Sequence, residues 1–230
     1  MSYFVFIISS RNNPIYEQFD IMRRGQMNTL GIPHKFLLNG ALPEGYEMKD
    51  DEEYHEDTSF TPGMFRKFYD ACKNLYSTNN IPDFIIRCNS STFIDFNKFN
   101  AEILPTLPKE NTFAGPIDNY EGIYPYTFIS GMCMIFSKDV LYNLITNIPR
   151  DHPLTLEYCD DVAISYIVYT FNNIQRINLL QYTAKCTTFD KFLHHVPELP
   201  AYSIICRVKN EYSNRYESDI AFWKHILKLD

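Results

Sequence analysis

The opening of the chain constrains its fold most. Residues 3–8, YFVFII, form a continuous apolar run, and the polar stretch SSRNNP follows directly. Such a run predicts a buried strand, and the polar stretch a loop. From Ile15 to Leu30 the apolar residues Ile15, Phe19, Met22, Met27 and Leu30 recur at helical spacing, and Gly31-Ile32-Pro33 stops the helix. Lys35-Phe36-Leu37-Leu38 then reads as a second strand. Strand, helix and strand joined by short connections imply a parallel pair with a right-handed crossover. A chain that begins this way is committed to an α/β architecture, a mostly parallel twisted central sheet flanked by helices.

The remainder continues the pattern. Residues 43–61 are polar and acidic, with Asp50, Asp51, Glu52, Glu53, Glu56 and Asp57 close together. They lack the turn glycine of a calcium loop and are expected to form a solvated loop rather than a metal site. Helices are predicted over 65–75, 97–104, 140–148, 160–171 and 219–229. Strands are predicted over 82–86, 112–115, 130–136, 178–182 and 204–208. Arg87-Cys88-Asn89-Ser90-Ser91 reads as a polar turn, and Ser137 as the N-cap of the helix that follows it. No repeat, low-complexity tract or linker interrupts the chain, so residues 1–230 are expected to form one domain.

Composition excludes several classes. The chain has 230 residues, 45% hydrophobic and 21% charged, which is globular rather than disordered. Its net charge of -7 argues against nucleic-acid partners, which call for clustered Lys and Arg. No apolar run approaches the roughly 18 residues that would insert into a membrane. The start has neither a basic n-region nor a small-residue cleavage site, so it is not expected to be a signal peptide. The six cysteines include no C-x-x-C pair, which disfavours zinc, and most sit among apolar neighbours. They are expected to be free thiols, which places the chain in the cytoplasm. The 16% aromatic content is read mainly as compositional bias.

Ligands of open α/β sheets sit beyond the carboxyl ends of the strands. Two polar segments leave such ends, Ser9-Ser10-Arg11-Asn12 and Arg87-Cys88-Asn89-Ser90-Ser91. Neither is a glycine-rich phosphate loop, and no Walker sequence occurs. Asp160-Asp161 precede an apolar helix, where carboxylates either complement the helix dipole or serve as a general base. Arg207 and Lys209, two apart on a strand, face one side with Arg215 nearby. Such cations suit a diphosphate or protect a sheet edge.

Residues 124–139, YPYTFISGMCMIFSKD, resemble the "YPxYxSGxGYVLSxD" segment of GT-A glycosyltransferases in the β1,3-galactosyltransferase and fringe group. Asp160-Asp161-Val162 is similar to that group's acidic "EDV" or "DD" motif. Residues 84–94 align with "fxxKxDDDxFv", the strand that carries the D-x-D metal motif, and Phe6 to Arg11 stand in the place of the first nucleotide-binding strand. The likeness runs in order from about residue 3 to about 215. Viral and bacterial stand-alone glycosyltransferases are similar in length and layout. The chain departs from the group at one point: Asn89-Ser90-Ser91 stand where it has three aspartates. Neutral oxygens bind a hard cation poorly, so Mn²⁺ or Mg²⁺ is disfavoured.

The resemblance implies an inverting hexosyl- or pentosyltransferase using a nucleotide sugar, a UDP sugar first of all, and a glycan or other hydroxyl acceptor. Asp161 would be the base, with Asp160 its rival. Ser9, Ser10 and Arg11 would contact the nucleoside. Arg87, Asn89 and Ser91 would meet the ribose or donor sugar. Arg207, Lys209 and Arg215 would neutralise the leaving diphosphate, as basic residues do in the metal-independent β1,6-N-acetylglucosaminyltransferases. Ser130 and Gly131 would let donor and acceptor approach the backbone, and Tyr120, Tyr124 and Tyr126 would stack on the acceptor. His194 and His195 fall where some members place a metal-binding histidine and are read as surface loop. The alternative is a catalytically inactive nucleotide-sugar or glycan-binding module of the same fold. A nucleotidyltransferase ranks lower, because the first strand lacks acidic ligands and a glycine-rich loop.

Overall fold

A computed structural model describes residues 1–11, 14–42, 44–57, 59, 61–119, 127–186 and 203–208. The expected loop over 187–201 and terminal helix over 219–229 lie outside them, as do Tyr120, Tyr124, Tyr126, His194, His195, Lys209 and Arg215. The opening forms β1 (Tyr3–Ile8), α1 (Pro14–Thr29) and β2 (His34–Leu38). Then come β3 (Glu52–Tyr54), α2 (Gly63–Ser77), β4 (Phe84–Asn89) and β5 (Phe93–Ile94). α3 (Phe96–Lys98) runs into a π turn over Phe99–Ile103 and a 3₁₀ turn over Leu104–Thr106. β6 (Thr112–Gly115), β7 (Ile117–Asp118), β8 (Phe128–Ile129) and β9 (Cys133–Ser137) follow. After α4 (Lys138–Asn147), α5 (Pro153–Glu157) and α6 (Asp160–Tyr169) come β10 (Gln175–Asn178), β11 (Thr183–Cys186) and β12 (Ile205–Val208).

The main sheet has seven strands in the order β10-β6-β9-β4-β1-β2-β3. β1 pairs in parallel with β2, as the opening of the sequence predicts, and also in parallel with β4. β9 runs antiparallel between β4 and β6, while β10 is parallel to β6 and β3 to β2. Strand residues alternate between the faces. Val5, Ile7, Ile86, Cys88, Cys133 and Ile135 face a core shared with Met27 of α1 and with Phe96, Phe99 and Ile103. Phe6, Ile8, Ile85, Met134 and Phe136 face a second core built with α2, α4 and α6. Each fully buried Phe contributes about 1.5–3 kcal/mol, and these layers hold the carboxyl ends of β1, β2 and β4 in one plane of approach. Among the described residues no helix is long and apolar enough to cross a membrane.

Four expectations need correction. β4 runs through Arg87, Cys88 and Asn89 before turning at Ser90. Residues 130–136 are not one strand: Ser130 to Met132 form a turn between β8 and β9. The strand expected over 178–182 ends at Asn178, and a 3₁₀ turn covers Leu180–Tyr182. Ser137 stands at the N-cap of α4, but its hydroxyl accepts from the Thr112 backbone N–H at 2.9 Å and joins β6 instead.

The acidic segment is also more ordered than a solvated loop. Glu52 is buried in β3. It accepts from Arg24 Nη2 at 2.7 Å and from Arg11 Nη2 at 3.4 Å. Asp51 takes Arg24 Nε at 2.6 Å, and Asp57 takes Arg66 Nη1 at 2.6 Å. These carboxylates are counter-charges for arginines of α1, α2 and the β1 turn, and that pairing lets a polar stretch add a sheet edge.

Candidate active site

The end of β4 carries a buried guanidinium. Period-two alternation points Ile85, Arg87 and Asn89 toward α6. Arg87 is 0% exposed. Its Nη2 donates to Asp160 Oδ2 at the first turn of α6, and its Nη1 donates to Gly131 O and, at 2.9 Å, to Asn89 Oδ1. Asp160 is itself 5% exposed. Burial pushes its carboxyl pKa up, and the Arg87 charge opposes that rise. Arg87 is therefore an internal clamp joining β4, α6 and the turn before β9.

Asp161 occupies a different place. It is half-buried. Its Oδ2 accepts from Gly131 N at 2.8 Å, and its Oδ1 accepts from Val162 N at 3.0 Å and from Cys159 Sγ at 3.2 Å. The carboxylate is thus oriented by two backbone donors and still meets solvent. Gly131 is explained by this crowding: an added Cβ would lie 2.5 Å from Arg87 Nη1 and 3.2 Å from Asp161 Oδ2. Its missing side chain makes room for the two site residues themselves. Neighbouring Ser130 is buried.

The end of β1 is locked by charge. Ser9 Oγ donates to Asp20 Oδ2 at 2.7 Å, and Arg11 Nη1 donates to the same oxygen at 2.7 Å. Arg11 also donates to the Tyr46 hydroxyl at 3.0 Å, and its side chain is only 4% exposed. The Ser9 and Arg11 side chains, expected to contact a nucleoside, both hold the turn from within. Ser10 is half-buried, and its hydroxyl donates to Asn39 O at 3.3 Å. Burial raises the Asp20 pKa to about 6 against the pull of Arg11 and Ser9.

Lys67 of α2 joins these two regions. It is 2% exposed, and its Nζ donates to Ser9 O at 2.7 Å and to Asn39 Oδ1 at 3.2 Å. Burial and the Arg87 charge depress its pKa to about 7. Ser90 N donates to Ile8 O at 3.0 Å, so the ends of β1 and β4 meet directly. Lys67 lines a cavity of about 420 Å³ together with Tyr54, His55, Glu56, Asp57, Arg66 and Arg150.

β12 pairs antiparallel with β5 through Cys206 and Phe93, which sets Arg207 one position further along, toward the turn after β4. Arg87, Asn89, Gly131, Asp160 and Asp161 are thus brought together, with Ser9, Ser10 and Ser91 on the neighbouring strand ends. The sequence reading missed Lys67 and Asp20, and also Arg23, which is buried in α1 with its Nη2 donating to Ser90 O at 3.5 Å. Their signal was present: Arg23 falls on the buried Phe19–Met27 stripe of α1, and Lys67 on the buried Gly63–Ala71 row of α2.

A divalent cation, implied by the GT-A resemblance, does not fit the turn after β4. Asn89 Oδ1 already accepts from a guanidinium, and Ser90 and Ser91 are neutral and buried. A hard cation needs several oxygen ligands with carboxylates among them.

The sheet, with its helices on both faces and the polar cluster at its strand ends, is a GT-A-like α/β architecture. No family profile matches the sequence, and no curated protein does. Among solved structures, the chain is similar to a glycosyltransferase involved in the glycosylation of the major capsid of PBCV-1. The TM-score is 0.56 at 15% sequence identity, over 94% of this chain and 97% of that one. The catalytic domain of Drosophila β1,4-galactosyltransferase 7, in complex with xylobiose, matches with a TM-score of 0.43 at 12% identity, over 77% of this chain and 65% of that one.

Proposed function

We propose that this chain is an inverting glycosyltransferase that moves a sugar from a nucleotide-sugar donor, a UDP sugar in the first instance, to a hydroxyl of a glycan acceptor. The observation that carries the reading is the division of labour at the start of α6. Asp160 is sealed by Arg87, whereas Asp161 is oriented by Gly131 N and Val162 N and remains in reach of solvent. A fixed, accessible carboxylate suits a general base. The GT-A-like fold supports the reading, and residues 124–139 with Asp160-Asp161 support a place near the β1,3-galactosyltransferase and fringe group.

Asp161 takes the proton of the acceptor hydroxyl as its oxygen attacks the anomeric carbon. The bond from that carbon to the diphosphate oxygen breaks, and its electron pair leaves with the diphosphate. Charge grows on the leaving group, so cations fixed around it lower the barrier. That role is assigned to Arg207, with Lys209 and Arg215 following it in sequence. Asn89, its Oδ1 taken by Arg87, offers its amide nitrogen to the donor, with Ser10 and Ser91 beside it. Ser130, Tyr124 and Tyr126 are assigned to the acceptor side. The turn after β4 lacks the ligands for a divalent cation, so the charge of the leaving group falls to these side chains. Buried free thiols at Cys72, Cys88, Cys133 and Cys206 support a reducing, cytoplasmic setting.

The test is a thermal-shift and hydrolysis screen against UDP-, GDP-, CMP- and dTDP-sugars, each with Mn²⁺ and with EDTA. A donor at a hundred times its Kd adds roughly 2.7 kcal/mol of stability. The expected result is a shift with one donor that survives EDTA, with slow sugar release. A shift lost in EDTA would overturn metal independence. Stabilisation without turnover, with acceptors supplied, would identify a binding module. No shift with any nucleotide sugar would sink the reading.

A further inference from the structure

Lys67 is a buried cation beside the candidate site. Its ammonium is buried, yet no carboxylate among the described residues lies within ion-pair distance of it. Its two partners, Ser9 O and Asn39 Oδ1, are neutral acceptors. The charges that act on it from a distance are Arg87, which repels, and Asp160 and Asp20, which attract. Asp160 is committed to Arg87, and Asp20 to Arg11. An ammonium has three donors, and two of them are used. Burying a charge without a counter-charge is costly unless something supplies one.

The cavity beside Lys67 can supply it. Its other cations are already neutralised: Arg66 pairs with Asp57 and Asp151, and Arg150 with Asp70. His55 lies 3.3 Å from Glu53, and Glu56 is exposed at the rim. The volume, about 420 Å³, falls in the range of small-molecule sites. It opens beyond the carboxyl ends of β2 and β3, beside the end of β1, where open α/β sheets bind ligands.

We propose that this cavity is an anion site for the phosphates of the nucleotide sugar, with Lys67 as the residue whose missing counter-charge they provide. The proposal deepens the glycosyltransferase reading and rests on it for the identity of the ligand. It also supplies part of the positive charge that the neutral Asn89-Ser90-Ser91 turn cannot recruit through a metal. Burial and the Arg87 charge bring the Lys67 pKa down to about 7. An anion beside it favours the ammonium, so binding above that pH draws one proton from solvent onto the lysine amine. Asp20 titrates at about 6, below the window that reads Lys67.

The test is titration calorimetry from pH 6.5 to 8.5, in two buffers of different ionisation enthalpy. The probes are the nucleotide sugar giving the largest thermal shift, inorganic pyrophosphate, and the matching nucleoside. A nucleotide sugar is esterified at both ends of its diphosphate, so its own charge stays constant across the window. The expected result is uptake of nearly one proton at pH 8 and an affinity about tenfold weaker at pH 8.5 than at pH 7. Lys67→Arg, permanently charged, abolishes both the uptake and the slope while retaining binding. Lys67→Met abolishes the uptake and weakens binding at pH 6.5. The nucleoside shows no slope. Turnover with flat, proton-neutral binding would overturn the anion site and leave the glycosyltransferase reading standing. So would a slope that survives in Lys67→Arg, which also serves if Lys67→Met fails to fold. Lys67-dependent uptake with pyrophosphate but no binding of any nucleotide sugar would keep the site and overturn the function. No binding of either anion would overturn the site.

Discussion

Replacing Asp160 by Asn leaves the Arg87 guanidinium buried without a counter-charge. Breaking a buried ion pair from one side costs about 3–5 kcal/mol. That is a large share of the roughly 5–15 kcal/mol that holds a typical domain together. For a chain of this size each kcal/mol moves Tm by about 2–4 °C, so Asp160→Asn is expected to lower it by roughly 6–20 °C. Arg87→Met makes the complementary break. It strands the Asp160 carboxylate and also removes donors to Gly131 O and Asn89 Oδ1. The double variant Arg87→Met with Asp160→Leu removes both charges together and is expected to recover at least half of the summed single losses. Asp161→Asn keeps one oxygen to accept from Gly131 N but turns its amide group toward Val162 N, so its stability cost is expected at about 1–3 kcal/mol. Its turnover falls by about 10²–10⁴, the usual worth of a general base. Urea denaturation followed by far-UV circular dichroism, with sugar-transfer rates on the same samples, reads both quantities. Asp160→Asn within 1 kcal/mol of wild type, or single losses that simply add in the double variant, would refute the clamp assignment. An active Asp161→Asn with an inactive but stable Asp160→Asn would reverse the roles.

Two further perturbations test other parts of the site. Gly131→Ala places a methyl 2.5 Å from Arg87 Nη1; it is expected to cost about 1–3 kcal/mol as overpacking and to lower transfer activity as Asp161 shifts, with an unchanged urea midpoint counting against it. Lys67 gives a pH signature in stability. Its pKa is depressed from 10.5 to about 7 on folding, so between those values the unfolded chain binds more protons and stability rises with pH. The wild type should gain about 2 kcal/mol relative to Lys67→Met between pH 7 and pH 9, measured by urea melts at each pH, and parallel pH profiles would refute the buried-lysine assignment.

The elements legible in the sequence are those whose signal is local. β1 is an unbroken apolar run, and α1 and α2 carry a clear helical period. Arg87 shows where local reading stops. A charge inside an apolar run looks like the end of a strand, and nothing near it says that a carboxylate 73 positions later will neutralise it. The same holds for β3, whose Glu52 becomes a strand residue only because Arg11 and Arg24 come from elsewhere in the chain. Lys67 and Arg23 were hidden because a charged side chain on the apolar phase of a helix reads as an exception to the period, not as a member of a site. Asp160 and Asp161 were found as a pair, but their different roles depend on distances that sequence spacing does not carry.

Those roles follow from helix geometry once the sheet is in place. Successive residues of a helix project about 100° apart, because 3.6 residues complete a turn. Two adjacent carboxylates at the start of α6 therefore point in different directions. When Asp160 turns down onto the sheet and meets Arg87, Asp161 must point sideways, toward the turn before β9. That turn presents a backbone N–H at Gly131, and the absence of a side chain there lets the carboxylate reach it at 2.8 Å. Arg87 meanwhile donates to the carbonyl of the same glycine. One residue thus fixes the positions of both carboxylates, one through each of its peptide groups. The buried ion pair serves as the anchor that sets the direction of the accessible acid.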